Sequence, residues 1–351
     1  MTDTDKGAEP TGPAPKSGIL DIAPYVGGKA KVDGVAEPIK LSSNENALGA
    51  GSLAREAYEA AIKNLALYPD GRAAKLREAV AKHHDLEPER LIFGNGSDEV
   101  FALLNQTYLT PGDNIVTGQY GFLAYRISAL ANQAEVKSAP EPKLKAEVDA
   151  LLEQVDERTR IVYVSNPSNP TGSWNAAEEI ERLHAALPSS VLLVVDEAYA
   201  EFVTEPDWAT AFPLAKDSAN LVVTRTFSKI HGLAGLRIGF GYAPLHVAEA
   251  VDRIRLPFNV SVPGIEAAVA ALADEAHVKA SRELVQTWRP RLTQAIKGFG
   301  FEVPPSGSAR RGSGPARSRT GPIPKPARRG RAAGSSDQPE TPRIRPCGLS
   351  R

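Results

Sequence analysis

Residues Thr224–Phe240 read TRTFSKIHGLAGLRIGF, and a buried strand is predicted to end within them. The apolar and β-branched residues Leu221–Thr224 lead into this stretch like a strand covered on both faces. The chain then presents hydroxyls and Lys229, turns through two glycines, and reaches Arg237. One interpretation is an ordinary solvated loop, because lysines are most common on surfaces. The other is a reactive amine with an anion-binding guanidinium beside it.

Strands and helices alternate along most of the chain. Apolar runs in RLIFGN, DNIVTG, RIVYVS, VLLVVD and NLVVTR predict strands, and segments with helical spacing separate them. This alternation predicts an α/β fold with a mostly parallel sheet flanked by helices. A short strand is also predicted in PIKLSSNENALG, and Ser52 is predicted to be the N-cap of the next helix. Helices are predicted again from Ile265 to Lys297.

Composition excludes several classes of protein. With 42% hydrophobic and 24% charged residues, the chain resembles an ordinary soluble globular protein. Its net charge of −1 gives no general argument for binding nucleic acid or an anionic membrane. No signal peptide or bilayer-length apolar run is found, and the single Cys347 cannot form an internal disulfide or a cysteine-rich metal site. We predict a cytoplasmic protein without a metal ion.

The chain changes character at Pro304. From there, ten arginines and one lysine against two acids give a net charge of +9, which leaves −10 for the preceding residues. Nine prolines and few large apolar residues predict disorder, because the segment cannot bury enough surface to offset its ordering entropy. A basic arm for nucleic acid or an acidic partner is one interpretation. The lack of interleaved aromatic residues and the abrupt change favour a shifted reading frame.

These features predict how the chain is organised. A flexible arm is predicted at 1–17 and the Arg/Pro-rich tail at 304–351, and the length of the chain between them allows two domains.

Unusual polar residues follow the predicted strands, at the edge where open α/β sheets bind ligands. Asp196 ends an apolar strand, where it could cap a helix, form a core salt bridge, or pair with a protonated ring nitrogen. Tyr199 could place its hydroxyl in the same cleft or simply pack. Asn169 lies between prolines in SNPSNPTG, a rigid non-helical turn that could aim its amide in one direction.

An anion site is predicted at the same edge. GNGSDE leads from a strand into a helix, so the backbone N–H groups of Ser97 and Asp98 can hold a phosphate. Thr226, Ser228 and Arg237 could add hydroxyl donors and a guanidinium. An amine, a phosphate cradle, a hydroxyl partner and an acid for a ring nitrogen are together what pyridoxal 5′-phosphate requires.

The stretches SNPSNPTG, VVDEAYAEF and TRTFSKIHGLAGLRIGF resemble the class I/II aminotransferases of the aspartate aminotransferase fold. The stretches APYVGGK, LSSNENALG, YPDG and GFLAYRISA narrow the resemblance to the histidinol-phosphate aminotransferases, over roughly Gly18 to Gly307. The resemblance implies pyridoxal 5′-phosphate as cofactor. It also implies amino transfer from L-histidinol phosphate to 2-oxoglutarate, giving imidazole-acetol phosphate and L-glutamate, in histidine biosynthesis.

The resemblance also implies a role for each matching residue. Lys229 is implied to be the Schiff-base lysine and proton shuttle, and Asp196 to pair with the ring nitrogen. Tyr199 and Asn169 are implied to bond the ring hydroxyl, and Phe122 to stack on the ring. The residues implied to surround the phosphate are Ser97, Asp98, Thr226, Ser228 and Arg237.

Further implied contacts involve the substrate and a second subunit. Tyr68 matches a tyrosine that reaches the phosphate of the partner subunit, which implies an obligate homodimer with a shared site. Tyr25 and Asn44 are implied to contact the substrate or line the entrance. Small-molecule substrates are expected, and no nucleic acid or membrane partner.

The tail departs from the family pattern. The resemblance implies an N-terminal segment of a small domain with the site entrance at 18–50, a large cofactor-binding domain at 51–258 and the start of a C-terminal small domain at 259–303. In the family, strands after the PSG motif carry arginines that bind the substrate's anionic groups, and neither strand is found here. Without these strands, the helices of the small domain are expected to leave apolar surface uncovered. Two alternatives therefore stay open. One is a pyridoxal-phosphate enzyme that acts on aromatic amino acids or phosphothreonine, and the other is an inactive truncated product with a basic tail.

Overall fold

The computed structural model describes residues 12–28, 34, 40–301, 303, 304 and 306. The described residues belong to the first of two units, Met1–Pro315 and Ala316–Arg351. Most of the predicted arm and nearly all of the predicted tail lie outside the described residues. The predictions of a flexible arm and a disordered tail therefore concern residues outside the described part.

A seven-stranded sheet lies at the centre of the described residues. Its strands are β1 (Leu91–Asn95), β2 (Asn114–Gly118), β3 (Glu135–Ala139), β4 (Thr159–Ser165), β5 (Leu192–Asp196), β6 (Leu221–Thr226) and β7 (Ile238–Tyr242). They lie in the order β1-β7-β6-β5-β4-β2-β3. Only β7 is antiparallel to its neighbours in this described sheet, and every other pairing is parallel. The predicted mostly parallel sheet is therefore confirmed.

Helices connect the strands and cover both faces of the sheet. The α-helices of the described residues are α1 (Ser52–Ala61), α2 (Ala74–His84), α3 (Ser97–Tyr108), α4 (Leu123–Ala131), α5 (Val148–Leu152), α6 (Ala177–Ala186), α7 (Phe212–Lys216), α8 (Leu245–Asp252), α9 (Val262–Ala273) and α10 (Glu275–Gly298). Short 3-10 helices are Ile19–Asp21, Ile62–Asn64, Pro88–Arg90, Ala200–Phe202 and Ala234–Leu236.

The core divides into layers because side chains alternate along each strand. In β4, Val162 and Val164 pack in one apolar cluster, with residues of α2, α6 and α9. Ile161 and Tyr163 point to the opposite face, into a second cluster with residues of α3, α4 and α8. The inner strands are thus buried on both faces, as their apolar runs predict, whereas the edge strand β3 has one buried residue, Ala139.

Two predictions at the N-terminal side of this sheet are wrong. The described residues 40–49 contain no strand, and the first two residues of the predicted stretch, 38 and 39, lie outside the described part. The N-cap of α1 is Gly51, and Ser52 is the first helical residue. Gly51 packs so closely on the side chain of Asp274 that a Cβ there would overlap it, so tertiary packing decides this helix start.

Strand β7 was not predicted from the sequence. Its sequence IGFGY reads as a continuation of the glycine turn. In the structure Gly239 faces the backbone at the start of α3, and a Cβ at Gly239 would overlap the amide nitrogen of Ser97. The glycine therefore allows the strand to pass directly beside the N-terminus of a helix. The pattern of apolar residues in the sequence does not show this requirement for a glycine.

The C-terminal helices differ in how much they are covered. Helix α9 buries several side chains against α1 and α2. Helix α10 is 24 residues long, yet Ser281 is its one buried residue in the described structure. Trp288 on α10 is 47% exposed and Phe299 just after it is 80% exposed. The expected uncovered apolar surface is present there.

Candidate active site

A cavity of about 590 Å³ opens at the edge of the sheet where the parallel strands end. Asp196 is the last residue of β5, and Lys229 follows the end of β6; both line the cavity. Because β7 runs in the opposite direction, its first residue, Ile238, lies opposite Asn95 at the end of β1. This register brings Arg237, one residue before β7, to the same edge.

The structure brings together every predicted site residue of this chain except Tyr68. The residues of the prediction that line the cavity are Tyr25, Asn44, Ser97, Asp98, Phe122, Asn169, Asp196, Tyr199, Thr226, Ser228, Lys229 and Arg237. Tyr68 does not line it; the side chain is 83% exposed and its ring stacks on Phe258, with 4.9 Å between the ring centroids. The role of each residue stays a prediction.

Asp196 places a buried carboxylate on one wall of the cavity. Its Oδ2 accepts a hydrogen bond of 2.5 Å from the Tyr125 hydroxyl. Its Oδ1 accepts from the Thr224 hydroxyl and from the Ala198 N–H, each at 3.2 Å. Burial raises the pKa of Asp196 to about 6, and the bonds from Tyr125 and Thr224 oppose this rise. With neutral donors around it, the carboxylate suits a cationic ligand atom in the cavity.

The wall beside Lys229 is built from distant parts of the chain. The Nζ of Lys229 lies 5.6 Å from the centroid of the Tyr199 ring. The amide of Asn44 donates to the Tyr199 hydroxyl at 2.6 Å. The amide of Asn46 donates to the carbonyl of Ile230 at 2.7 Å, so the N-terminal segment also holds the lysine loop.

The opposite end of the cavity is suited to an anion. Helix α3 begins at Ser97, and the first N–H groups of a helix have no partner within it. Arg237 has left-handed backbone angles, with φ of +54°, and its guanidinium lies against this helix start. A Cβ at Gly96, itself at φ +78°, would be 2.7 Å from Nη2 of Arg237. Glycine there leaves room for the guanidinium beside the helix N-terminus. The two groups together are suited to an anion such as phosphate.

Asn169 reaches the cavity from a fixed turn. Both Asn–Pro peptide bonds of the turn, Asn166–Pro167 and Asn169–Pro170, are cis. The Asn166 side chain accepts from the N–H of Asn175 at 2.9 Å and donates to its carbonyl at 3.1 Å. These bonds fix the two sides of the turn on each other, so the predicted rigid, non-helical turn is present.

Comparison with known proteins identifies the family. The model of the family "Aminotransferase class I and II" matches residues 36–309. The chain belongs to this family. Histidinol-phosphate aminotransferase 1 of Caulobacter vibrioides is 57% identical over 292 residues, which cover 83% of this chain and 81% of the relative. Histidinol-phosphate aminotransferase of Maricaulis maris is 49% identical, with the same coverage of each chain.

Solved structures agree with this membership of the aminotransferase family. Histidinol-phosphate aminotransferase of Sinorhizobium meliloti, in complex with pyridoxal-5′-phosphate, has a TM-score of 0.73 and 30% identity over 76% of this chain and 72% of that one. Aspartate aminotransferase of Thermus thermophilus, with maleate, has a TM-score of 0.71 at 21% identity over 77% of this chain and 75% of that one. The predicted family and the aspartate aminotransferase fold are confirmed.

One contact of this aminotransferase site was missed in the sequence. Tyr125 lies behind Asp196 and does not line the cavity. It follows Phe122 by three residues in GFLAYR, a spacing that places two side chains on the same side of a helix. This spacing was the sequence signal that placed Tyr125 near the site. It was not sufficient by itself, because the contact also depends on the start of α4 packing against β5.

The described residues limit other kinds of site. No helix among them is long and apolar enough to cross a membrane. Within the same residues, no group of three or more His, Cys, Asp and Glu side chains is arranged to hold a metal ion.

Proposed function

We propose that this chain is a pyridoxal 5′-phosphate enzyme that transfers an amino group between L-histidinol phosphate and 2-oxoglutarate in histidine biosynthesis. The products are imidazole-acetol phosphate and L-glutamate. The observation that carries the proposal is one cavity with the Asp196 carboxylate, the Lys229 amine and the cradle formed by α3 and Arg237 around it. The names of the relatives supply the substrate.

The residues present fit the cofactor. The start of α3 and Arg237 would hold its phosphate, because N–H groups and a guanidinium are suitable donors to a dianion. Asp196 would pair with the ring nitrogen, and Phe122 would cover a face of the ring. The residues that would bond the ring hydroxyl are Asn169 and Tyr199. When bound, pyridoxal phosphate withdraws electrons from the substrate carbon that loses its proton.

Lys229 would do the proton transfer. Its amine would hold the cofactor aldehyde and would accept the proton from the carbon that bears the substrate amine. Nζ would keep that proton within the cavity for its return. The Ile230 carbonyl beside Lys229 is bonded by Asn46, which restricts movement of the loop during these steps.

We also propose a homodimer that works in the cytoplasm. Tyr68 and Phe258 form a stacked pair on the surface, and Leu65, Leu67 and Leu256 near them in sequence are also exposed. Exposed apolar side chains in such number are typical of a protein interface. A second copy covering this surface would bring Tyr68 toward the partner's cavity. Sedimentation analysis of the purified protein would test the dimer.

The substrate assignment is tested with purified, cofactor-loaded protein. L-histidinol phosphate, phenylalanine and phosphothreonine are offered separately with 2-oxoglutarate, and glutamate is measured. We expect glutamate to form fastest from L-histidinol phosphate. Lys229→Ala, loaded in the same way, is the control and should form none. Faster turnover of phenylalanine would show that the enzyme acts on aromatic amino acids. Release of carbon dioxide from phosphothreonine would show that it is a decarboxylase.

A further inference from the structure

Tyr125 and Asp196 form a buried hydrogen bond that the proposed reaction does not use directly. The distance between the Tyr125 hydroxyl and Oδ2 of Asp196 is 2.5 Å. Tyr125 is completely buried, and Asp196 is 4% exposed. Both Thr224 and Ala198 donate to the other oxygen, Oδ1. The phenol therefore completes the set that fixes the rotation of the carboxylate.

The phenol is itself held in place from several sides. Its ring stacks on Tyr163 with 4.5 Å between centroids and 7° between planes, and it meets Phe101 edge-on at 4.8 Å. The Tyr163 hydroxyl donates to Asn105 Oδ1 at 2.8 Å, and the Asn105 amide donates to the carbonyl of Tyr125 at 3.3 Å. All of these side chains are buried. Tyr125 can therefore impose a position on Asp196 rather than follow it.

The same side chain also touches the wall of the cavity. The Phe122 ring lies edge-on to the Tyr125 ring, with 5.8 Å between centroids. Phe122 lines the cavity, and the two residues lie at and just inside the start of α4. One phenol thus connects the residue proposed to cover the cofactor ring with the carboxylate proposed to pair with its nitrogen.

We propose that Tyr125 is a positioning residue that fixes the Asp196 carboxylate and keeps it ionised toward the cofactor's ring nitrogen. This inference rests on the proposed function. A hydrogen bond donated to a carboxylate stabilises its charged form, whereas burial in an apolar layer favours the neutral acid. The donated bond therefore decides how well Asp196 can hold a protonated nitrogen.

Tyr125→Phe tests this role, and Tyr163→Phe is a matched control. The control removes the same hydroxyl from an equally buried, adjacent ring, but its hydroxyl bonds Asn105 and not Asp196. The dissociation constant is measured for pyridoxal phosphate and for an analogue in which a C–H group replaces the ring nitrogen. We expect Tyr125→Phe to weaken binding of the natural cofactor about tenfold and binding of the analogue hardly at all. Tyr163→Phe should change the dissociation constants for the cofactor and for the analogue by the same factor.

A double substitution separates positioning from general loss of packing. In an Asp196→Asn background, Tyr125→Phe should no longer change cofactor affinity, because its target is already uncharged. Equal weakening of both ligands by Tyr125→Phe, or unchanged affinity for the cofactor, would overturn the role while leaving the proposed function intact. Failure of the unsubstituted protein to bind pyridoxal phosphate would overturn both.

Discussion

Arg237 and Asp98 form an ion pair at the first turn of α3, with 3.0 Å between Nη2 and Oδ2. The pair holds the guanidinium beside the first N–H groups of the helix, which have no partner within the helix. Both side chains are nearly half exposed, so the pair itself adds little to stability. We propose that the pair instead orients Arg237 for an anion.

Arg237→Ala should therefore weaken a phosphate ligand selectively. We expect the dissociation constant for pyridoxal phosphate to rise about tenfold or more, because charge-assisted bonds to the phosphate are lost. Pyridoxal, which lacks the phosphate, should bind the variant and the unsubstituted protein equally. Fluorescence titration with each ligand measures both constants. An equal loss for pyridoxal would mean that Arg237 supports the cavity and not the phosphate.

Lys229 should be the one attachment point for the cofactor. Borohydride reduction of the loaded protein is expected to add one cofactor per chain, located at Lys229 by peptide mapping, since an imine between an amine and an aldehyde becomes a stable amine. Lys229→Ala should gain no such mass. A labelled peptide that carries another lysine, or labelling of the variant at full yield, would contradict the assignment.

Asp196 should make the cofactor-free protein less stable as the pH rises. Its pKa is raised from 3.8 to about 6 by burial. The folded state thus holds this proton more tightly than the unfolded state, so its contribution is complete below about pH 4 and is lost as the pH rises through about 6. The loss amounts to about 3 kcal/mol. Asp196→Asn removes this titration.

Urea unfolding of both proteins without cofactor, between about pH 4 and 7, measures the effect. We expect the free energy of unfolding of the unsubstituted protein, minus that of Asp196→Asn, to fall across this range. Other titrating groups are common to both proteins and cancel in the difference. A difference that does not change with pH would show that the carboxyl is already ionised in the folded protein.

Gly232 should be essential to the lysine loop. It has φ of +69°, and a Cβ there would overlap the carbonyl oxygen of Gly49 in the N-terminal segment. Gly232→Ala is expected to lower the free energy of unfolding by about 2 kcal/mol or more, from left-handed strain and this backbone clash. Gly235→Ala is the control. No atom lies within 4 Å of its added Cβ, so the change should stay within about 0.5 kcal/mol. Equal effects in thermal unfolding would refute the packing argument.

The parts of the fold with strong periodicity could be predicted from sequence, and close-packing effects could not. The apolar run of β6 identifies a buried strand, and SDEVFALLNQTY identifies α3 after its glycine. In contrast, β7 contains two glycines whose purpose is contact with α3 and β6. A residue's neighbours across the sheet are set by strand order, which local patterns do not contain.

The candidate site shows the same division. Asp196 and Lys229 could be predicted because they lie at or just after the ends of apolar strands, and Arg237 because it follows the glycine turn after Lys229. Tyr125 was missed because its contact depends on α4 packing against β5, 71 positions away in sequence. Tyr68 remains a prediction about a second subunit, since one chain places it outside its own cavity.

Deleting residues 308–351 should leave cofactor binding nearly unchanged. Every residue that lines the cavity lies between Tyr25 and Arg237, and the deletion retains Ser306, whose carbonyl accepts from Arg289. The removed segment carries a net charge of +9, so the remaining chain carries −10 and repels a dianionic cofactor slightly more. At about 0.15 M salt, screening over about 8 Å reduces this repulsion. We expect the dissociation constant for pyridoxal phosphate to change less than about twofold. Titration of the full and shortened chains at two salt concentrations measures it, and a large loss at high salt would show that the tail contacts the cofactor site.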